Sequence, residues 1–296
     1  MIKKLLLLCL LLPAMASAQK IDKKLQQQIE ALVKDFKGDI GIYIHDLKHN
    51  KIVSINADTI FPTASIVKVS IMIGIMDKIE KGELQYHQPL IYKDSLLYAG
   101  EDILGSFKNG EKIELSKVMM LMLTTSDNTA SLWLQSLAGG GKRINEIIDS
   151  LGFKYTRVNS RTPGREENRT AYGWGQTTPR EMQNLMARIV NRDILSIGVS
   201  EKMLRLMSRQ YWDEEAISQV PPGVFIADKN GAVDASRSEI MYVNSNKNPY
   251  ILSVFTKNNT DTSWNKSNEA WVLTRKLSAL LWKYYNPKSN WTAVTE

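Results

Sequence analysis

Phe61-Pro62-Thr63-Ala64-Ser65-Ile66-Val67-Lys68-Val69-Ser70-Ile71-Met72-Ile73-Gly74-Ile75-Met76 opens a run that stays apolar almost all round as far as Ile79. A helix apolar on every face is a buried helix. Thr63 is the expected cap and Gly82 the expected stop. Gly74 lowers helix propensity, which implies close packing against a neighbour. Two polar residues stand at the mouth of this helix. Ser65 and Lys68 are three apart and so share a face, which brings the lysine within reach of the serine hydroxyl. The helix N-terminus favours developing negative charge. A serine needs a base to become a nucleophile, and a desolvated lysine with a lowered pKa can be that base. The spacing alone is not specific, because Ser17 to Lys20 and Ser263 to Lys266 repeat it. Taken by itself, Ser65 reads as an ordinary helix-start serine.

Outward from this stretch, residues 23–36 have the pattern of an amphipathic helix. Gly41–Asp46 and Lys51–Asn56 alternate as strands, with His49 and Asn50 in the turn between them. Residues 115–137, 142–150 and 179–193 read as helices, and residues 157–178 as a long irregular loop, a kind that is commonly functional. Strands are expected at Val224–Asp228, Glu239–Asn244 and Tyr250–Phe255, and a last helix over about 266–285. Strands at both ends with helices between them point to one sheet made from both termini plus a helical insertion.

The chain has 296 residues, 43% hydrophobic and 23% charged, with a net charge of +7. That is ordinary globular composition, enough for one large domain. Lys and Arg are interleaved with Asp and Glu, which describes a mixed solvated surface and not a nucleic-acid site. Lys3 and Lys4, the apolar Leu5–Leu12, Pro13 and the small residues Ala16-Ser17-Ala18 read as a signal peptide over residues 1–18. The apolar run is too short for a membrane anchor, so the mature protein is expected in the periplasm or secreted. The single cysteine, Cys9, falls inside that leader, leaving no disulfide or Cys metal site. His45, His49 and His87 show neither metal-ligand spacing nor a Ser-His-Asp arrangement; they read as surface or loop residues, and no metal or other cofactor is expected. Acid–base chemistry then falls to Lys, Glu, Asp or Ser.

Two further elements follow. Ser126-Asp127-Asn128 comes after the apolar Leu121–Leu123, where a polar triplet suits a turn lining a cleft; alone it is equally a helix cap. Lys229-Asn230-Gly231 ends one strand-like run just ahead of the next. Its cation suits a substrate carboxylate and its glycine a close backbone approach, yet Lys108-Asn109-Gly110 repeats the tripeptide in a plain turn. In this order and at these spacings, the three elements resemble those of the serine β-lactamase and penicillin-binding family, and within it the class A β-lactamases: Ser-x-x-Lys, Ser-Asp-Asn, Lys-Thr-Gly. Gly110–Leu115, Leu151–Arg157 and Thr177-Thr178-Pro179 are also similar, and the likeness covers about residues 25–285.

The resemblance implies a three-layer α/β sandwich beside an all-helical subdomain, the antiparallel sheet being built from both termini. One domain over 19–296 would have its α/β part at about 19–60 and 215–296 and its helical part at about 61–214. It implies an acyl-enzyme on Ser65, Lys68 as activating base, Ser126 passing a proton to the leaving nitrogen and Lys229 lending electrostatics. It also implies an oxyanion hole from the Ser65 and Ala232 N–H groups, Asn128 on the substrate side-chain amide, and Asn230, Gly231 and Arg237 around the substrate carboxylate. The substrate is expected to be a small β-lactam or a peptidoglycan-like peptide.

Two departures bear on turnover. Class A enzymes carry Arg-x-Glu-x-x-x-Asn in the long loop, where the Glu activates the deacylating water. Here the run is Arg161-Thr162-Pro163-Gly164-Arg165-Glu166-Glu167-Asn168, with no clean match, and the loop's Arg–Asp staple is unclear. Either Glu166 (or Glu167) acts from a shifted place, or no carboxylate is in position. The second departure is Asn230, which stands where the family has Thr or Ser; its longer amide still donates but fills more of the cleft. The functions in contention are a β-lactamase-like hydrolase, a penicillin-binding D-alanyl-D-alanine peptidase, a receptor that stays acylated and, more distantly, a glutaminase.

Overall fold

A computed structural model describes residues 19–98 and 102–293; the expected leader, with Cys9, lies outside the described residues. The strands are β1 (Lys20–Ile21), β2 (Asp39–Asp46), β3 (Lys51–Ile55), β4 (Phe61–Pro62), β5 (Pro89–Ile91), β6 (Lys112–Glu114), β7 (Arg157–Val158), β8 (Gly175–Thr177), β9 (Phe225–Val233), β10 (Ser236–Asn244) and β11 (Tyr250–Lys257). The helices are α1 (Lys23–Val33), α2 (Val67–Glu80), α3 (Leu115–Met120), α4 (Asn128–Leu137), α5 (Gly140–Ser150), α6 (Glu166–Tyr172), α7 (Pro179–Val190), α8 (Ile197–Met207) and α9 (Glu269–Tyr285).

The main sheet has the order β1-β3-β2-β11-β10-β9, so strands from the two termini meet where β2 pairs with β11. Its pairings are antiparallel except at one edge, where the short β1 lies parallel to β3. Side chains alternate between faces. Ile42, Ile44, Met241, Val243, Tyr250, Leu252 and Val254 pack under α1 and α9. Ile240, Tyr242, Ile251 and Phe255 face the helical side and join α2 and its neighbours. The fold is thus an α/β sandwich with helices on both faces of the sheet.

Helix α2 is the axis of the helical side. Every residue from Val67 to Asp77 is buried, Lys68 and Ser70 included. Each fully buried large apolar side chain there contributes about 1.5–3 kcal/mol of transfer free energy. Gly74 meets the expectation of close packing: a Cβ on it would lie 2.8 Å from Ile144 Cγ1 and 3.1 Å from Ala138 Cβ, which are on and beside α5.

Several local expectations are corrected. Thr63 makes no side-chain cap; a single turn of 3₁₀ helix, Ala64–Ile66, precedes α2 instead. The stretch 115–137 is not one helix. A π turn over Leu121–Thr125 and a left-handed Ser126 interrupt it, and Asp127 caps α4 by accepting from the Ala130 N–H at 2.7 Å. Residues 157–178 are not irregular but hold β7, α6 and β8, with β8 paired to β4. Helix α8 escaped the periodicity reading. His45 lies within β2, half-buried and bonded to Asn50 and Gln183, and so is not a surface or loop residue.

Candidate active site

The π turn sets the site. An i→i+5 turn leaves carbonyls without helical partners, and two of these are taken up from residues 208–216: Tyr211 N–H donates to Thr124 O and the Trp212 indole N–H to Thr125 O, both at 3.0 Å. The helix then stops, and Ser126 turns left-handed (φ 62°) toward α2. Ala64, the residue before Ser65, is also left-handed (φ 44°). Non-glycine residues rarely adopt this conformation, which stores on the order of 1–3 kcal/mol of strain and clusters at functional sites.

These two strained turns meet at Lys68. Its Nζ lies 3.0 Å from Ser65 Oγ, 3.0 Å from Ser126 Oγ, 2.5 Å from Ser126 O and 2.8 Å from Asn128 Oδ1. Burial in this environment, and next the positive charge of Lys229, hold the Lys68 ammonium well below the usual lysine range, against the opposing pull of Asp102 and Asp127. The four contacts have chemical consequences. The Ser126 carbonyl and the Asn128 amide oxygen can only accept. A neutral Lys68 amine therefore sends its two hydrogens to them and keeps its lone pair for a serine O–H. Ser65 and Ser126 are the two hydroxyls placed to donate into it.

The two acids near Lys68 are structural. Asp127 Oδ2 accepts from Leu104 N–H at 2.8 Å, and Asp102 Oδ2 accepts from Thr129 N–H at 2.8 Å. Together they tie the loop before β6 to the start of α4.

On the opposite wall, Lys229, Asn230 and Gly231 lie within β9, not at its end as the sequence pattern indicated. Lys229 is fully buried and donates to Asn230 O at 2.9 Å and Asn230 Oδ1 at 3.2 Å. Behind it two buried carboxyl groups, Asp228 and Glu239, sit on neighbouring strands. Burial raises both; the Glu239 hydrogen bond and then the Lys229 charge pull Asp228 back down, while the Asp228 charge pushes Glu239 up further. Gly231 packs directly on the turn that carries Ser65. A Cβ there would fall 2.5 Å from Thr63 O and 2.9 Å from Ser65 N. The glycine expected to let backbone approach a substrate thus first lets β9 approach Ser65.

A cavity of about 410 Å³ opens beside Ser65, lined by Tyr98, Asn128, Tyr172, Trp174, Ala232 and Lys257, among others. Tyr98 and Trp174 meet edge to face across it, with ring centroids 5.3 Å apart. The Trp174 carbonyl accepts from the Asn159 and Ser160 N–H groups, and Gly175 O accepts from Thr63 N–H, so the loop is hooked to the nucleophile turn. The staple that was unclear in sequence is Arg165. Its guanidinium spans Asn159 Oδ1 at 2.9 Å and Gln176 Oε1 at 2.7 Å, a cation held by two neutral amides.

Ser65, Lys68, Ser126, Asn128, Lys229, Gly231 and Ala232 thus come together. Glu166, Glu167 and Arg237 do not join them. Glu166 opens α6 with an exposed side chain and accepts from Gly164 N–H at 3.1 Å; Glu167 beside it is exposed as well. Neither lines the cavity. Arg237 is on the far face of the sheet, buried between Trp264 and Trp271 at 4.3 and 4.7 Å, and it donates to the Val233, Asp234, Ser236 and Ser263 carbonyls. The period-2 alternation of β10 turns its side chain away from the cleft. Asn230 stays beside Lys229, from which its Oδ1 accepts, and gives one of its two amide N–H groups to Trp212 O at 3.2 Å. Sequence reasoning missed Tyr98, Trp174, Trp212 and Lys257. For the three aromatic residues the one signal was their place in polar loops, and for Lys257 its place at the end of an apolar strand; neither specifies a face.

A family model described as "Beta-lactamase enzyme family" matches residues 24–285. The β-lactamase PSE-4 of Pseudomonas aeruginosa is 25% identical over 276 residues, covering 91% of this chain and 94% of that protein. Among solved structures, PBP-A has a TM-score of 0.80 at 23% identity, covering 91% of this chain and 98% of its own. A class A β-lactamase from Bacteroides cellulosilyticus has a TM-score of 0.79 at 20% identity, covering 91% of this chain and all of its own.

Proposed function

The chain belongs to the β-lactamase enzyme family, and on that premise we propose that it is an exported serine hydrolase that opens a β-lactam or related amide through an acyl-enzyme on Ser65. The observation that carries this reading is the buried Lys68 amine 3.0 Å from both the Ser65 and the Ser126 hydroxyls.

Neutral Lys68 takes the Ser65 proton as Oγ attacks the amide carbonyl. The oxyanion turns toward the Ser65 and Ala232 N–H groups, which the approach of Gly231 keeps side by side. Ser126 passes its proton to the departing nitrogen and is resupplied by Lys68. Lys229, close enough to lower Lys68, offsets negative charge at that end. Asn128 already uses its oxygen on Lys68, which leaves its NH₂ for a carbonyl of the substrate side chain. With one Asn230 N–H on Trp212 O, its second N–H and the Lys229 ammonium are left for the substrate carboxylate.

Clearance of the ester is a separate step. Among the described residues lining the cavity there is no carboxylate. This favours a second reading in which the acyl-enzyme is long-lived, as in a penicillin-binding peptidase or an acylated receptor. Residues 1–18 support export to the periplasm or beyond, and no helix of the described chain is long and apolar enough to cross a membrane. A chromogenic cephalosporin assayed with intact-mass spectrometry separates the readings. Many turnovers per enzyme support the hydrolase. A burst of one equivalent with a persistent adduct supports the long-lived acyl-enzyme. No adduct on Ser65 refutes both.

A further inference from the structure

Among the described residues that line the cavity beside Ser65, one carries a charge, and it is a cation: Lys257, the last residue of β11. It lies on the same sheet face as Phe255, two residues earlier, which belongs to the core on the helical side. Its ammonium donates to Ile60 O at 3.0 Å and sits 5.0 Å over the Phe61 ring. Neither contact neutralises the charge, and one carbonyl uses one of three N–H donors. The rest of the lining is uncharged: proline, glycine, alanine, valine, serine, asparagine and aromatic rings.

The position has a direction. Gly231 fixes β9 against Ser65, and Phe255 lies two strands across the sheet in the same row, through Ser238. Lys257 is two residues further along, so its backbone stands on the order of 12 Å from the Gly231 position at standard strand spacing. Lys229 and Ser126 do not line this cavity. A ligand acylating Ser65 thus has one cation at the leaving-group side and a second, separate cation at the far end of the cavity that receives its acyl side chain.

We propose that this end of the cleft is a subsite for an anionic acyl substituent, with Lys257 as the residue that receives a terminal carboxylate. The proposal rests on the acyl-enzyme reading above and adds a substrate class to it: amides whose acyl side chain is flexible and ends in a carboxylate.

The test uses two penicillins that differ at one group, adipoyl-6-aminopenicillanic acid and the methyl ester of its adipoyl terminus. Rates of acylation and the Ser65 adduct are measured on the wild type, Lys257→Met and Lys257→Arg. An exposed to half-buried ion pair gives about a twofold to fivefold preference for the free acid in the wild type, falling with added salt. Lys257→Met loses the preference, acid and ester then acylating at equal rates, and Lys257→Arg keeps it. Equal wild-type rates for acid and ester, with adducts formed by both, overturn the subsite while leaving the acyl-enzyme intact. So does a preference that survives in a folded Lys257→Met protein. Failure of both compounds to label Ser65 overturns the acyl-enzyme reading itself, and the subsite with it.

Discussion

Replacing Gly231 by alanine tests how the two walls of the site are held in register. The added Cβ would lie 2.5 Å from Thr63 O, 2.9 Å from Ser65 N and 3.1 Å from Ile66 N, all backbone atoms. None can rotate away. Thr63 N–H is bonded to Gly175 O, Ile66 N–H to Thr63 O, and Ala64 between them is already left-handed. Ordinary contact needs roughly 3.4 Å, so β9 and the nucleophile turn must part by about 0.9 Å, an overpacking strain of about 1–3 kcal/mol. That separation falls between the Ser65 and Ala232 N–H groups. A misplacement of about 1 Å costs on the order of 100-fold in rate, or about 2.7 kcal/mol of barrier. The measurement is the single-turnover acylation rate with a chromogenic cephalosporin, beside a thermal melt. The expected outcome is a fall of about 100-fold with a melting point lower by a few degrees. Gly198→Ala in α8 is the control, because nothing lies within 4 Å of its added Cβ; there the acylation rate should hold and stability should rise slightly. Wild-type acylation and an unchanged melt in Gly231→Ala would refute the proposed contact.

Three other outcomes are expected. Lys68→Met should stay folded yet acylate at least 10²-fold more slowly, on the order of a lost general base; because burial and Lys229 depress the Lys68 proton affinity, the wild-type rate should climb with pH on a limb well below the ordinary lysine range, and a limb at the ordinary position would contradict this. Asp228→Asn removes the charge that raises the Lys229 proton affinity, so the alkaline loss of activity, expected near pH 8 in the wild type, should move to lower pH. The folded state holds the Asp228 proton up to about pH 7, so its stabilising share is present in acid and lost as pH rises through that value; melts of Asp228→Asn between pH 4 and 7 should therefore vary less than those of the wild type. Glu166→Gln should leave the acyl-enzyme lifetime unchanged by mass spectrometry, because the carboxylate is exposed and turned to Gly164; a lengthened lifetime would restore it as the deacylating base.

Much of the fold was legible because its signals are local. The buried α2, the β2–β3 hairpin and the three C-terminal strands each announce themselves by period, and Ser65 and Lys68 share a helical face by spacing alone. What failed did so where contacts from distant segments override local preference. The stretch 115–137 has helical periodicity throughout, yet Tyr211 and Trp212 claim the carbonyls that a π turn frees, and the helix breaks at the residue the chemistry needs. The loop 157–178 has no sustained period, and Arg165 finds its two amide partners 6 and 11 residues away in opposite directions.

From the sequence by itself come the proposed nucleophile and its lysine, the order of the three motifs and the family to which they point, since these depend on spacing along the chain. Only the tertiary structure decides which charges face the cleft. Arg237 and Lys257 are both basic residues on neighbouring strands of one sheet, and nothing in their local sequence distinguishes them. Pleating and strand register send Arg237 under Trp264 and Trp271 and leave Lys257 lining the cavity. The same is true of Glu166, whose exposed place at the start of α6 follows from how the loop is hooked to Thr63 and stapled by Arg165. A side chain's face is a long-range property of packing, and that is why the closeness of Ser65 and Lys68 could be read from spacing while the faces of Arg237, Lys257 and Glu166 could not.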